Sequence, residues 1–134
     1  MQKDFKDWHN KKELLDKGLV RPFFHEREIW FCSLGANVGY EQDGNGEDFQ
    51  RPVVILKKFN NEIFWGIPLT KIKRAINKNS DKYYFVFSFV KDVKSAAILS
   101  QIRLIDGKRL SRVIGSIAKP EFKNLTKKLK ELIP

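Results

Sequence analysis

Cysteine and histidine are scarce in this chain, which contains one Cys and two His among 134 residues. A single cysteine, Cys32, excludes an internal disulfide, and its place in an apolar, strand-like run favours a reduced, cytoplasmic environment. His9 and His25 are too few, even with Cys32, to form a structural zinc site within the chain. The residues therefore predict a protein without a disulfide, metal or other cofactor.

Long apolar runs and common nucleotide-binding motifs are also missing. No run approaches the roughly 18 apolar residues that a membrane-spanning helix needs. The start of the chain, MQKDFKDWHN, contains no apolar signal core. The P-loop, the dinucleotide-binding GxGxxG and the hydrolase motif GxSxG are absent. We expect a protein that is not exported, that has no membrane partner and that is neither a nucleotide hydrolase nor a dinucleotide enzyme.

Positive charge is plentiful. The chain has 26 Lys and Arg against 16 Asp and Glu, a net charge of +10 and a pI near 9.8. Such a charge attracts polyanions over long distances. The charge alone leaves two kinds of partner open, a nucleic acid and an acidic protein.

The first segment predicts a helix that lies on the domain or covers a partner surface, rather than one within the core. The mainly apolar stripe along one face of this helix is narrow and consists of Phe5, Trp8, Lys12 and Leu15. Gly18 is placed to end the helix.

From Ile29 onward the pattern is that of short strands separated by Gly, Asn and Asp turns: IWFCSL, VVILKKF, IFWGIPL, YYFVFSFV, AAIL and IRLI. Asn60 and Asn61 mark a hairpin turn, and KIKRAINKNSDK predicts a loop or one helical turn. A last helix begins at Pro120 and places four apolar residues on one face, namely Phe122, Leu125, Leu129 and Leu132. The fold class is therefore mainly β with flanking helices, with five to seven strands in a small, bent antiparallel barrel.

Six strings occur in a fixed order along the chain: REIWF, GYEQDG, QRPVVIL, PLT, SAAILSQIRLIDGKRL and IGSI. In order and spacing they resemble the MazF/PemK (Kid) toxins, which are sequence-specific endoribonucleases of bacterial type II toxin–antitoxin pairs. The resemblance covers Arg27 to about Ile117, and it divides the chain into an N-terminal helical extension, 1–26, and a toxin domain, 27–134. It implies an SH3-like barrel, a homodimer, and a cognate antitoxin whose acidic segment covers the positive site.

Arg51 follows a Gly-rich polar loop and opens an apolar strand, so we expect it at a barrel rim, where its side chain buries little. Local context alone fits a surface arginine that fixes the loop by pairing with Glu41, Glu47 or Asp48. In the family the arginine of the matching Arg–Pro pair is catalytic. The resemblance therefore implies that Arg51 stabilises the dianionic phosphorane with its planar, permanently charged guanidinium.

Thr70 ends the strand IFWGIPL. Its hydroxyl suits either the orientation of a scissile phosphate or the capping of the following turn. The family's matching threonine is catalytic, which favours the first role. Lys71 follows where many relatives have a hydroxyl or a small residue, and we expect it to contact the RNA backbone.

Glu41 and Gln42 lie in the loop that borders the active site in the family. We expect Glu41 to hold Arg51 in place, because an exposed carboxylate is a poor base for a hydroxyl. The stretch DGNGEDFQ lengthens this loop relative to the family pattern. Within it, Phe49 is expected either to stack on a base or to pack onto the barrel.

The stretch after Ser95 contributes the barrel floor and a dimer contact in the family. Gln101 and Arg103 alternate with Ile102 and Leu104, which predicts that the polar pair shares one face while the apolar pair enters the core. An Asp-Gly turn follows the stretch. The pocket candidates here, each with a surface salt bridge as the alternative role, are Ser95, Gln101, Arg103 and Arg109.

The resemblance implies a metal-independent endoribonuclease that cuts single-stranded RNA, such as mRNA, by attack of the 2′-hydroxyl. The alternative is a non-catalytic module on the same barrel that binds nucleic acid or inhibits gyrase. Arg51 together with Thr70 favours the enzyme, because an inert descendant has no reason to retain both.

Overall fold

Seven antiparallel strands and one α-helix make up the part of the chain that the structure describes. The structure is a computed structural model, and it describes residues 22–35, 50–72 and 81–134. The elements are β1 (Glu28–Ser33), β2 (Gln50–Lys58), β3 (Ile63–Lys71), β4 (Tyr84–Val90), β5 (Val93–Ile98), β6 (Arg103–Asp106), β7 (Leu110–Ser116) and the helix α1 (Lys119–Glu131). The predicted first helix lies outside these residues.

Strand β3 is shared between two parts of the sheet. One of its edges pairs with β2, and its other edge pairs first with β6, at 63–66, and then with β5, at 69–71. The strand order is β4-β5-β3-β2-β1-β7, with β6 attached to β3. The change of partner along β3 bends the sheet, so the predicted small, curled antiparallel sheet is confirmed in the form of a half-barrel.

Two apolar clusters lie on opposite faces of the central strands, because side chains alternate along each strand. The inner cluster lies in the curl of the sheet under α1 and comprises Ile29, Val54, Leu56, Ile67, Leu69, Phe87, Ala97, Leu99, Ile117 and Leu125. The outer cluster comprises Phe24, Trp30, Cys32, Leu34, Val53, Ile55, Phe64, Ile105 and Leu110. Strand β2 is thus buried on both faces over most of its length.

The two local signals in the sequence are confirmed. The side chain of Asn60 accepts hydrogen bonds from the backbone N–H groups of Glu62 and Ile63, which closes the turn between β2 and β3. Helix α1 has Pro120 in its first turn and buries Leu125 completely in the inner cluster. No helix within the described residues is both long and apolar enough to cross a membrane.

The prediction for Leu104 is wrong. Gln101 belongs to a 3-10 turn, so strand alternation begins only at Arg103. Ile105 is the residue of β6 that enters a core, whereas Leu104 is 57% exposed. Leu104 lies beside Trp65 of β3, which is itself 44% exposed, so this face of the β3–β6 ladder is open.

The end strands of the sheet approach each other through side chains. The described ladders leave β4 and β7 at the two ends of the strand order. Phe89 of β4 packs so closely on Gly115 of β7 that an added Cβ would lie 2.7 Å from its ring. This contact narrows the opening of the half-barrel without a ladder between the two strands.

Gly66→Ala is expected to destabilise the fold. An added Cβ would lie 2.6 Å from Val53 Cγ1, 2.8 Å from Ile105 Cδ1 and 2.9 Å from Phe64 Cε2. Overpacking of this kind lowers the free energy of unfolding by about 1–3 kcal/mol. Urea denaturation measures the change, and Ser88→Ala on the exposed side of β4 is the control. A Gly66→Ala protein as stable as the wild type would show that the outer cluster has room to repack.

Candidate active site

A pocket of about 860 Å³ opens at one end of the half-barrel. Its lining comes from six of the strands and consists of Phe31, Gln50, Pro52, Leu69, Thr70, Lys71, Phe89, Val90, Val93, Ser95 and Ile114. The walls are mainly apolar, and the polar members are Gln50, Thr70, Lys71 and Ser95. Pockets of this size with a few placed polar groups are typical of ligand sites.

Three of the predicted site residues meet at this pocket. Thr70 and Lys71 are the last two residues of β3, and the ladder with β5 places Lys71 beside Ser95. Ser95 is buried, whereas Lys71 is exposed at the mouth. The pocket therefore has the Ser95 hydroxyl at its wall, the Thr70 hydroxyl at its edge and the Lys71 ammonium at its opening.

Arg51 lies next to the pocket but on the other face of β2. Its neighbours Gln50 and Pro52 line the pocket, and Arg51 pairs with Cys32 of the outer cluster instead. The β2–β3 ladder ends at the pair Val53 and Pro68, and Arg51 and Thr70 each lie two residues beyond that pair on their own strands.

The expectation that Arg51 buries little is wrong, because the residue is only 3% exposed. The physical reason is that Arg51 lies on the face of β2 that packs in the outer cluster, beside the buried Cys32, whereas Gln50 and Pro52 on the other face are half-buried at the pocket.

The other predicted site residues that the structure describes do not line the pocket. Gln101 lies in a 3-10 turn, and Arg103 is exposed on β6 beside Gly66. Arg109 donates a hydrogen bond from Nη1 to the backbone oxygen of Ser33, at 3.3 Å. The loop candidates Glu41, Gln42 and Phe49 lie outside the described residues.

The sequence analysis missed Phe31 and Gln50. Phe31 lines the pocket, and the Arg112 guanidinium lies 4.9 Å from the centre of its ring. Ser111 Oγ lies 3.1 Å from the Phe31 backbone oxygen and 3.3 Å from Gln50 Oε1. Alternation along REIWF and QRPVV could have placed Phe31, Gln50 and Pro52 on one face, but no local signal brings Ser111 or Arg112 to them.

Metal ligands are not grouped in the described parts of the chain. No set of three His, Cys, Asp or Glu residues lies close enough there to hold an ion. The polar groups at the pocket are instead an amide, two hydroxyls and an ammonium, which suit hydrogen bonding to a phosphate or a base.

A family model described as "PemK-like, MazF-like toxin of type II toxin-antitoxin system" matches residues 25–133. The chain belongs to this toxin family. The resemblance seen in the motifs is thus confirmed, and the match includes α1, which lies beyond the last motif. Members of the family are generally endoribonucleases.

Solved structures share the fold. The Mycobacterium tuberculosis toxin MazF-mt6 is 17% identical and superposes with a TM-score of 0.56, covering 78% of this chain and 94% of that one. An endoribonuclease in complex with its cognate antitoxin, from a mycobacterial species, is 13% identical with a TM-score of 0.57, covering 84% and 97%. A mycobacterial endoribonuclease, also 13% identical, has a TM-score of 0.54 and covers 84% and 90%. Comparison with curated protein sequences gives no match.

Arg51→Ala is expected to lower stability, because truncation empties a buried volume and removes a partner from the groups that contact the guanidinium. A loss of about 1–3 kcal/mol in the free energy of unfolding is expected. Arg103→Ala removes an exposed arginine from the same domain and is expected to change stability by less than about 0.5 kcal/mol. Equal stability of the two variants in urea would contradict a structural contribution from Arg51.

Proposed function

We propose that this chain is the toxin of a type II toxin–antitoxin pair and a metal-independent, sequence-specific endoribonuclease that cuts single-stranded RNA. Membership of a family of RNA-cleaving toxins supports the proposal. The net charge of +10 supports attraction to RNA.

The observation that carries the proposal is the pair Thr70 and Lys71, a hydroxyl and a cation at the end of β3 where the pocket opens. Arg51 lies beside the pocket, on the neighbouring strand β2 and between the lining residues Gln50 and Pro52. A phosphate held at the pocket would meet the Thr70 hydroxyl and the Lys71 ammonium, and a turn of the Arg51 side chain toward it would add a second cation. Such a set stabilises added negative charge without a metal ion.

In the proposed reaction the 2′-oxygen attacks the adjacent phosphorus and loses its proton. The bond from phosphorus to the 5′-oxygen breaks, and that oxygen gains a proton. The products are a 2′,3′-cyclic phosphate and a 5′-hydroxyl. Arg51 is assigned the stabilisation of the dianionic phosphorane. Thr70 donates a hydrogen bond to a phosphate oxygen, and Lys71 contacts the neighbouring RNA backbone.

Two protein partners belong to the proposal. One is a second copy of the chain in a symmetric dimer, which light scattering would report as twice the mass of the monomer. The other is an acidic antitoxin in the cytoplasm, supported by the structural neighbour that is in complex with its cognate antitoxin. Co-purification of an acidic protein encoded beside this chain would test that partner.

Burial of Arg51 favours a second candidate, a non-catalytic nucleic-acid-binding or gyrase-inhibiting module with the same fold. A guanidinium that is 3% exposed must reach the phosphate at the Thr70 end of the pocket to take part in cleavage. If the guanidinium does not reach the phosphate, Arg51 is a structural residue and the pocket binds nucleic acid without cleaving it. The two experiments below separate these candidates.

Purified protein is expected to cut single-stranded RNA in the presence of a chelator, because the proposed chemistry uses only protein cations and hydroxyls. Duplex RNA and DNA are expected to remain intact, since the former is paired and the latter has no 2′-hydroxyl. Gel analysis of the products, with detection of cyclic phosphate ends, measures the reaction. Cleavage that requires an added divalent ion would overturn the mechanism, and RNA binding without cleavage would favour the non-catalytic module.

Arg51→Lys is expected to remove most of the activity while keeping the positive charge, because lysine loses the two-point contact with phosphate. Loss of one preorganised donor corresponds to about 3 kcal/mol, or roughly a hundredfold in rate. Thr70→Val, which keeps the shape and removes the hydroxyl, is expected to lower the rate in the same direction. Arg103→Lys is the control, and thermal melts verify that each variant is folded. A folded Arg51→Lys protein with full activity would assign Arg51 a structural role.

A further inference from the structure

We propose that Gln50 recognises the base that enters the pocket, and that Ser111 positions the Gln50 amide for this contact. The inference rests on the proposed function, because it assigns the base preference of the same RNA site. Gln50 is the first residue of β2 and lines the pocket with Phe31 and Pro52. It is the one amide among the residues that line this pocket.

Ser111 fixes the orientation of that amide. Its Oγ lies 3.3 Å from Gln50 Oε1 and 3.1 Å from the Phe31 backbone oxygen, so its proton is shared between two carbonyl oxygens. Oε1 and Nε2 lie on opposite sides of the amide carbon. Because Ser111 of β7 binds Oε1, the Nε2 atom of Gln50 is directed away from β7 and toward the pocket. Nε2 carries two N–H donors.

Within the described residues the Gln50 amide is hydrogen-bonded through Oε1 to Ser111, and the proposal assigns Nε2 to the base. Phe31, Pro52 and Leu69 give the pocket wall its apolar surface, while Thr70 and Lys71 lie at the end of β3. A donor in such surroundings discriminates strongly, because a ligand without an acceptor leaves it desolvated and unmatched. The amide therefore favours uracil and guanine, which present a carbonyl oxygen at the position where cytosine and adenine present an amino group.

Phe31 provides the surface on which the base lies. The Arg112 guanidinium contacts the Phe31 ring, and Phe31 also belongs to the pocket wall. Stacking on an aromatic ring accepts every base, since each base has a π face. Selection between bases is thus left to Gln50, which favours uracil and guanine over cytosine and adenine.

Uracil and cytosine make a matched pair for the test, since uracil carries an oxygen where cytosine carries an amino group. Short 2′-O-methyl oligouridylate and oligocytidylate are the probes, because the blocked 2′-oxygen prevents cleavage and leaves binding alone. Fluorescence anisotropy is expected to show tighter binding of the uridylate to the wild type, by roughly tenfold.

Gln50→Leu keeps the size of the side chain and is expected to bring the two affinities within about twofold of each other. Gln50→Glu presents only acceptors and is expected to reverse the order. The matched control is Asn124→Asp on the exposed face of α1, which makes the same amide-to-acid change away from the pocket and is expected to keep the wild-type ratio.

Ser111→Ala is expected to reduce the ratio of the affinities for the two probes, because the Gln50 amide is then free to rotate. Ser111→Thr retains the hydroxyl and is expected to restore the ratio, which a purely structural role for Ser111 would not produce. A Ser111→Ala protein with the wild-type ratio would overturn the positioning role.

Persistence of the wild-type ratio in Gln50→Leu would overturn the role of Gln50. A wild type that prefers oligocytidylate would overturn the assigned amide orientation. If the protein shows the predicted affinity ratios but cuts no RNA, the assignment of Gln50 is supported and the proposed cleavage is overturned. Binding of neither probe would overturn both.

Discussion

Pairing on both edges of β3 is the constraint on which the rest of the structure depends. One edge of β3 pairs with β2, and its other edge changes partner from β6 to β5 between Gly66 and Leu69, so one strand belongs to two parts of the sheet. The sheet must therefore curl, and the curl creates an interior that α1 fills at one end. The other end stays open as the pocket, and the last residues of β3 necessarily lie at its edge.

Elements with strong local signals could be predicted from the sequence. The Asn60 turn and the Pro120 start of α1 depend on residues within a few positions of each other, and both are found as expected. The fold class followed from the succession of short strands and turns, and the order of the six motifs added the resemblance to the toxin family. Leu104 was misplaced because a 3-10 turn, invisible in the apolar pattern, interrupts the chain before β6, so the alternation assumed from Gln101 does not continue into the strand and Ile105 is buried instead of Leu104.

Residues that line the pocket were predictable where a strand ends and not where distant strands meet. Thr70 and Lys71 were found at the end of β3 because strand ends mark the rim of a curled sheet. Gln50 and Arg51 are adjacent on β2, so their side chains lie on opposite faces of the strand. The sequence pattern does not show which of these two faces borders the pocket. Gln50 meets Ser111 from 61 residues away, a pairing that no local pattern encodes.

The pocket and the core share side chains. Leu69 belongs to the inner cluster, and Phe89 and Ile114 pack against it while also lining the pocket. Changing one of these residues to suit a new ligand would also loosen the domain. Divergence of ligand preference among descendants of such a chain is therefore restricted to the polar positions at strand ends, Gln50 and Lys71, where a substitution alters recognition and leaves the core in place.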